Sequence, residues 1–206
     1  FKFYFVNFNN FGAIKSMMET VKNEGVYYFF TQGCSDSPSG CFNELRVYVE
    51  SMLAWNLSRD YETLKDEFML HYYKDASKNM NEIFQMIRDQ YALYDTYYTK
   101  PSGGNIYANI LNNNLWPYEL VRKMEMQIKE AFESIKHYES DNPSMYQTLS
   151  NRIYKEYLSI IYLKVKLYKS YCSEEELAEL ETIWNTYTKF FGFTQEAEGY
   201  PIGDMF

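Results

Sequence analysis

Apolar and polar residues alternate along most of this chain with the spacing of amphipathic α-helices. From residue 41 to residue 191, large apolar side chains recur three or four positions apart, which places them along one face of a helix. Glycine and proline interrupt this recurrence at points where helices should begin or end. The pattern predicts helices over residues 41–55, 61–73, 77–98, 117–138, 144–171 and 173–191. We therefore expect a bundle of about six helices.

One of these predicted helices carries apolar residues on more than one face. Between Ile153 and Tyr168, apolar side chains surround the helix instead of forming a single stripe, which is typical of a helix at the centre of a bundle. The last predicted helix begins at a capping box, Ser173 to Glu176. No period continues beyond Gly192, so we expect the remaining tail to lie extended along the surface.

The first 40 residues have a different pattern. Short runs rich in aromatic and β-branched residues, at 3–8 and 26–30, predict two buried strands, and the apolar period between them predicts a helix over 11–24. Such a unit places its strands parallel through a right-handed crossover, and a parallel pair alone does not make a sheet. We therefore expect the chain to be cut from a longer protein. A signal peptide before Phe1 would make that protein extracellular or part of the cell envelope.

Composition and charge restrict the partners. The net charge is -8, and a nucleic-acid surface needs a basic stripe, so we expect no nucleic-acid partner. No apolar run reaches the roughly 18 residues that span a bilayer, so we predict no membrane span. The histidines, His71 and His137, fall within helical periods, and the cysteines have no metal-ligand spacing. We predict no metal and no cofactor. Cys34 and Cys41 share one loop and are either free thiols or a disulfide.

The chain is rich in aromatic residues, with 22 tyrosines and 15 phenylalanines. Most tyrosines lie on helical faces, where packing explains them. Trp55 and Trp184 follow helical stripes, so we predict that they lie in the core. Trp116 lies between three asparagines and Pro117, outside the apolar stripes. Because sugars stack on exposed aromatic faces, Trp116 is a candidate sugar-binding residue.

Several stretches carry a resemblance to a known family. They are Tyr4 with Asn7-Phe8, Gly25-Val26 leading to Gln32-Gly33, Glu44-Leu45-Arg46 through Leu53-Ala54-Trp55-Asn56, Asp66-Glu67-Phe68 and Tyr72-Tyr73. In these stretches, over residues 3–75, the chain resembles the C-terminal end of an uncharacterised bacterial family of glycan-utilisation proteins. The barrel of that family is similar to α-glucuronidases of glycoside hydrolase family 67 and hexosaminidases of family 20. The resemblance implies that residues 1–40 are the last two strands of a (β/α)8 barrel and that 41–206 form a C-terminal helical domain, a mainly α chain overall.

The resemblance also implies a sugar site in the loops that follow the two strands, where such barrels bind substrates. The residues concerned are Asn7, Asn9, Gln32, Gly33, Ser35 and Asp36. Glycoside hydrolysis needs two carboxylates, and Asp36 is the only carboxylate in a loop after a strand here. We therefore expect a chain that is inactive alone and forms one edge of an oligosaccharide or polysaccharide cleft in a glycoside hydrolase-like protein of bacterial glycan degradation. The alternative is a non-catalytic helical module that binds carbohydrate or another protein.

Overall fold

Helices account for most of the structure, a computed structural model that describes residues 4–6, 9–26, 28–31, 38, 40–97 and 110–206. The α-helices are α1 (Ile14–Asn23), α2 (Asn43–Trp55), α3 (Tyr61–Tyr73), α4 (Ser77–Tyr97), α5 (Tyr118–Ile135), α6 (Tyr138–Asp141), α7 (Pro143–Tyr168) and α8 (Glu174–Phe191). Short 3-10 turns lie at Phe11–Ala13, Lys74–Ala76 and Lys169–Tyr171, and two strands follow α8, β1 (Gln195–Ala197) and β2 (Tyr200–Pro201). The prediction of a mainly helical chain that forms a bundle is confirmed.

Three of the helices, α3, α7 and α8, begin at a side chain that accepts a hydrogen bond from a free backbone N–H group. The side chain of Asp60 accepts a hydrogen bond from the Thr63 N–H at the start of α3, and Asn142 does the same for α7. At the start of α8, the hydroxyl of Ser173 accepts from the Glu176 N–H at 3.2 Å, as the capping box predicts. Gly192, with a φ of 77°, ends α8 in the left-handed conformation that glycine adopts without strain.

Helix α7 lies at the centre of the bundle. Consecutive helices from α1 to α5 pack side by side, and α7 packs against α3, α5, α6 and α8. Ile160 and Ile161, near the middle of α7, are 1% and 0% exposed. The prediction that this helix is the buried one is confirmed, and it follows from the apolar residues that surround its axis.

The two predicted N-terminal strands are wrong wherever the structure describes them. Residues 4–6 lie in a turn and a bend, and Val26 and residues 28–31 belong to no strand. Only β1 and β2 form a sheet among the described residues, and they pair antiparallel. Aromatic and β-branched residues favour strands because they pack well on a pleated surface, but the same side chains also fill a core between helices.

Phe5 shows how the N-terminal residues are used instead. Its side chain is fully buried, and its ring centroid lies 4.6 Å from that of Trp184, 4.6 Å from that of Phe193 and 5.6 Å from that of Tyr162. These partners lie on α7, on α8 and just after α8. The beginning of the chain therefore packs against its last helices.

The tail beyond Gly192 is not simply extended along the surface, as predicted, because β1 and β2 fold back as a hairpin. Phe193, Ala197 and Met205 are buried. The N–H of Tyr4 donates a hydrogen bond to the carbonyl of Glu196 at 2.8 Å. A two-stranded unit this short shows no period, because strands of three and two residues are too short to define one.

Candidate functional site

Most of the predicted sugar-site residues lie outside the described part of the chain. These are Asn7, Gln32, Gly33, Ser35 and Asp36. Asn9 is described and is half-buried, and its Oδ1 atom accepts no hydrogen bond from the described residues. The sugar site at these residues therefore stays a prediction.

Trp116 does not present a face to a ligand, and its prediction as a sugar-stacking residue is wrong. The side chain is 0% exposed, and its Nε1–H donates to the carbonyl of Ile110 at 2.6 Å. The hydroxyl of Tyr168 donates to the Trp116 carbonyl at 2.6 Å. The amide oxygen of Asn112 accepts from the N–H groups of Asn114 and Leu115. This Asx turn sends the chain back toward the core, so the polar run before Trp116 makes a turn and the tryptophan fills the space behind it.

The other two tryptophans have opposite outcomes. Trp184 is 3% exposed, so its prediction as a core residue is confirmed, whereas Trp55 is 91% exposed and its prediction is wrong. Trp55 is the last residue of α2. The fully buried side of the α2 stripe contains Val49 and Leu53, whereas Trp55 lies on the side of Tyr48 and Met52, which are only partly buried.

Three consecutive aromatic residues are exposed at positions 28–30, here called the aromatic segment. Tyr28 is 92% exposed, Phe30 is 85% exposed and Phe29 is 47% exposed. Within the described residues, the backbone groups of 28–31 make no hydrogen bonds. Large exposed aromatic groups next to unpaired backbone are typical of an interaction surface.

A buried carboxylate on α7 joins three helices. The side chain of Glu156 accepts a hydrogen bond from the Phe42 N–H at 2.9 Å and another from the Tyr73 hydroxyl at 3.2 Å. Phe42 stands at the N-terminus of α2, and Tyr73 is the last residue of α3. Because backbone N–H groups at a helix start have no partner within the helix, Glu156 caps α2 from a distant part of the chain.

The pKa of Glu156 reflects this burial. Loss of hydration and, to a lesser extent, the charge of Glu44 raise it from 4.5 to about 7, against the opposing effects of the Phe42 N–H and the Lys155 ammonium. Lys155 itself forms an ion pair with Glu44. A carboxyl with this pKa can exchange a proton near neutral pH, yet both of its hydrogen bonds go to groups that hold the fold.

Cys41 lies beside this carboxyl and is a free thiol. Its Sγ donates to the hydroxyl of Ser159 at 2.6 Å. Burial, followed by the charge of Glu156, raises the pKa of the Cys41 thiol, which keeps it protonated and a poor nucleophile. Cys34, the alternative disulfide partner, lies outside the described residues.

A second buried network joins α5, α7 and α8. The ammonium of Lys164 lies 2.6 Å from the carboxylate of Glu125 and 2.5 Å from that of Glu176. The Tyr157 hydroxyl donates to Glu125 at 3.0 Å. Burial lowers the pKa of Lys164, but its hydrogen bonds to the two carboxylates outweigh this effect and raise it.

Sequence reasoning missed both buried networks. The signal was present, because Glu156 and Lys164 lie within a helix that is apolar on several faces, and polar residues in such a helix must be buried and paired. The partners are not visible in the sequence, since Tyr73 and Glu125 come from other helices. Among the described residues, no group of three or more His, Cys, Asp and Glu side chains could hold a metal ion. None of the helices in that part of the chain is long and apolar enough to cross a membrane.

Comparison with known proteins does not assign the chain to a family. No family model matches the chain, and no solved structure matches it. A stretch of 89 residues is 36% identical to glutamate--tRNA ligase 2 of Campylobacter curvus. That stretch is 43% of this chain and covers 19% of the ligase, well below two thirds of its length, so the match is weak and partial. The resemblance to glycan-utilisation proteins and to glycoside hydrolases is wrong, because no such family matches and the predicted strands are absent from the described residues.

Proposed function

We propose that this chain is a non-catalytic helical module that binds another protein through the aromatic segment. The observation that carries this proposal is the exposure of Tyr28 and Phe30, at 92% and 85%, on backbone that has no hydrogen-bonding partner among the described residues. The buried polar groups of the bundle support the non-catalytic assignment. Glu156 accepts a hydrogen bond from the N-terminus of α2, and Lys164 forms an ion pair with Glu125 on α5, so both side chains hold helices together.

The geometry of the segment suits a partner that supplies a β-strand. Paired as a strand, residues 28–31 would place Tyr28 and Phe30 on one face, because residues two apart in a strand face the same side. Residues 26–31 contain no charge and no proline, and both would oppose pairing at a sheet edge. An added strand satisfies the backbone groups of 28–31 and covers the rings at the same time.

Burial of the two rings contributes to the free energy of binding, together with the hydrogen bonds of the added strand. Full burial of a side chain of this size contributes roughly 1.5 to 3 kcal/mol, so the two rings contribute roughly 3 to 6 kcal/mol before the cost of association. Trp55 exposes a similar fraction of its side chain at the end of a helix, where its backbone N–H bonds to the preceding turn. Trp55 is therefore a matched control for aromatic exposure on backbone that is helical and not free to pair as a strand.

The proposal is tested by site-specific photocrosslinking in the cells that produce the protein. A benzophenone side chain replaces Tyr28 in one variant and Trp55 in another. We expect a discrete crosslinked protein from position 28 that is absent from position 55, and the Phe30→Ser change should reduce its yield several-fold. Equal crosslinking at both positions would contradict a specific site. A product that contains only a second copy of this chain would contradict a foreign partner, and absence of any product at position 28 would overturn the proposal.

Carbohydrate is a second candidate, favoured by the same exposed rings. Sugar rings stack on aromatic faces, and the faces of Tyr28 and Phe30 are open. Binding to soluble oligosaccharides that the double variant Tyr28→Ser and Phe30→Ser abolishes and Trp55→Ser does not would support it. Retention of that binding by the double variant would exclude the segment as a sugar surface.

We do not extend RNA binding to this chain from its partial similarity to a tRNA ligase. The similarity covers less than half of the chain. The net charge of -8 opposes contact with a phosphate backbone, since RNA and DNA surfaces are neutralised by lysine and arginine.

A further inference from the structure

A cleft of about 500 Å³ lies between the C-terminal half of α8 and the end of the chain. This volume is in the range of small-molecule sites. One wall is α8 and the other is formed by residues 202–206. The cleft is separate from the aromatic segment and plays no part in the function proposed above.

The floor of the cleft is apolar. Trp184, Phe193 and Met205 line it and are 3%, 6% and 8% exposed. Thr188 also lines it, but its hydroxyl donates its hydrogen to the Trp184 carbonyl at 2.6 Å, within the same helix. The floor therefore suits the apolar body of a ligand.

The rim of the cleft carries three charges. Glu181 and Lys189 lie on the same stripe of α8, eight residues and about 12 Å apart along its axis, and Asp204 lies on the opposite wall. None of the three forms an ion pair within the described parts of the chain. Two carboxylates and one ammonium give the rim a net charge of about −1 at neutral pH.

Two further features favour a positive ligand. The C-terminus of α8 at Phe191 adjoins the cleft, and a helix C-terminus carries roughly −0.5 of an elementary charge. The whole chain has a net charge of -8, which attracts cations and repels anions. Among the described residues that line the cleft, Lys189 is the only cation, and it lies about 12 Å from Glu181 along the helix axis.

From this arrangement we infer that the cleft binds a small organic cation, an ammonium group on an apolar body. The body lies on Trp184 and Met205, and the ammonium lies at the carboxylates of Glu181 and Asp204. Lys189 disfavours a second positive group at the other end, so the cleft selects singly charged amines.

Three probes with the same body separate the contribution of charge from that of hydrophobic contact. Phenethylamine, 2-phenylethanol and 3-phenylpropionate share a phenylethyl group and differ in charge. Binding is followed by the NMR resonance of the Trp184 indole N–H, with that of the exposed Trp55 as an internal reference. We expect saturable shifts of the Trp184 resonance alone and an affinity order of amine, then alcohol, then carboxylate.

The variants identify the carboxylates. Asp204→Asn and Glu181→Gln should each weaken binding of the amine by about 3- to 10-fold and leave the alcohol unchanged, and Lys189→Met should strengthen binding of the amine. Glu179→Gln is the control, because Glu179 is exposed on the same helix and does not line the cleft. All four positions lie on the surface, so these proteins should fold. Preference for the carboxylate probe, an equal loss in the control, or no saturable shift at millimolar amine would overturn the inference.

Discussion

At the scale of single residues, Glu156 couples the stability of the bundle to pH. Its pKa is about 7 in the folded chain and lies near 4.5 without burial. At pH values between these two pKa values, the Glu156 carboxyl is protonated in the folded state and ionised in the unfolded state. The stabilising contribution of this proton is therefore complete below pH 4.5, falls as the pH rises toward 7 and is lost above it.

We predict that Glu156→Gln flattens this dependence. The amide keeps an acceptor for the Phe42 N–H and carries no charge, so the variant should gain about 2 to 3 kcal/mol relative to the native chain between pH 5 and pH 8. Urea unfolding across this range measures the difference. Glu139→Gln, at an exposed position, should leave the native dependence unchanged. A native-like pH slope in Glu156→Gln would show that this carboxyl does not titrate in the window.

The burial of a residue could be predicted from the sequence where it follows from the apolar stripe of the residue's own helix. Trp184 was predictable because it follows the buried stripe of α8 at Leu180, whereas Trp55 was not, because periodicity does not show which edge of a wide apolar stripe a neighbouring helix covers. Trp116 was predicted to be exposed because the polar run that begins at Asn112 is typical of a surface loop. In the structure this run forms a turn, and Trp116 is buried behind it. The contact between Glu156 and the Phe42 N–H joins residues far apart in the sequence, and no local pattern carries it.

At the scale of elements, the helices were predictable and the strands were not. Helix limits follow from caps such as Ser173 and Asp60, whose hydrogen bonds are local. Strand pairing is not local. An aromatic run such as residues 3–8 has the same composition whether it enters a sheet or fills a helical core, and only the rest of the fold decides.

The network around Lys164 provides a test of how α5, α7 and α8 are held together. Lys164→Met removes the cation and leaves Glu125 buried without its charge partner, at 8% side-chain exposure. We expect a loss of about 3 to 5 kcal/mol in the free energy of unfolding.

Adding Glu125→Gln to Lys164→Met removes the unpaired charge and should recover a large part of that loss. Urea unfolding of the two single variants and the double variant gives the coupling energy. Additive losses would mean that the two groups do not interact in the folded chain. Lys136→Met, at an exposed ion pair with Glu133, is the control and should change stability by no more than about 1 kcal/mol.

At the scale of the whole molecule, the beginning of the chain belongs to the helical core. Phe5→Ala should lower the free energy of unfolding by about 3 to 5 kcal/mol, because it leaves a cavity among Tyr162, Trp184 and Phe193. Phe30→Ala removes an equal side chain from the surface and should change stability by about 0.5 kcal/mol or less. Similar losses in the two variants would mean that residues 4–6 do not contribute to the core.

The contact of Phe5 with Trp184, together with the hydrogen bond from Tyr4 to Glu196, also constrains the order in which the protein folds. Helices α1 to α5 meet their neighbours along the chain as they leave the ribosome, and such local contacts form quickly. Phe5 is synthesised 179 residues before Trp184. During synthesis this ring lacks its core partners until α8 has emerged, and apolar surface exposed in such an interval is prone to misassembly.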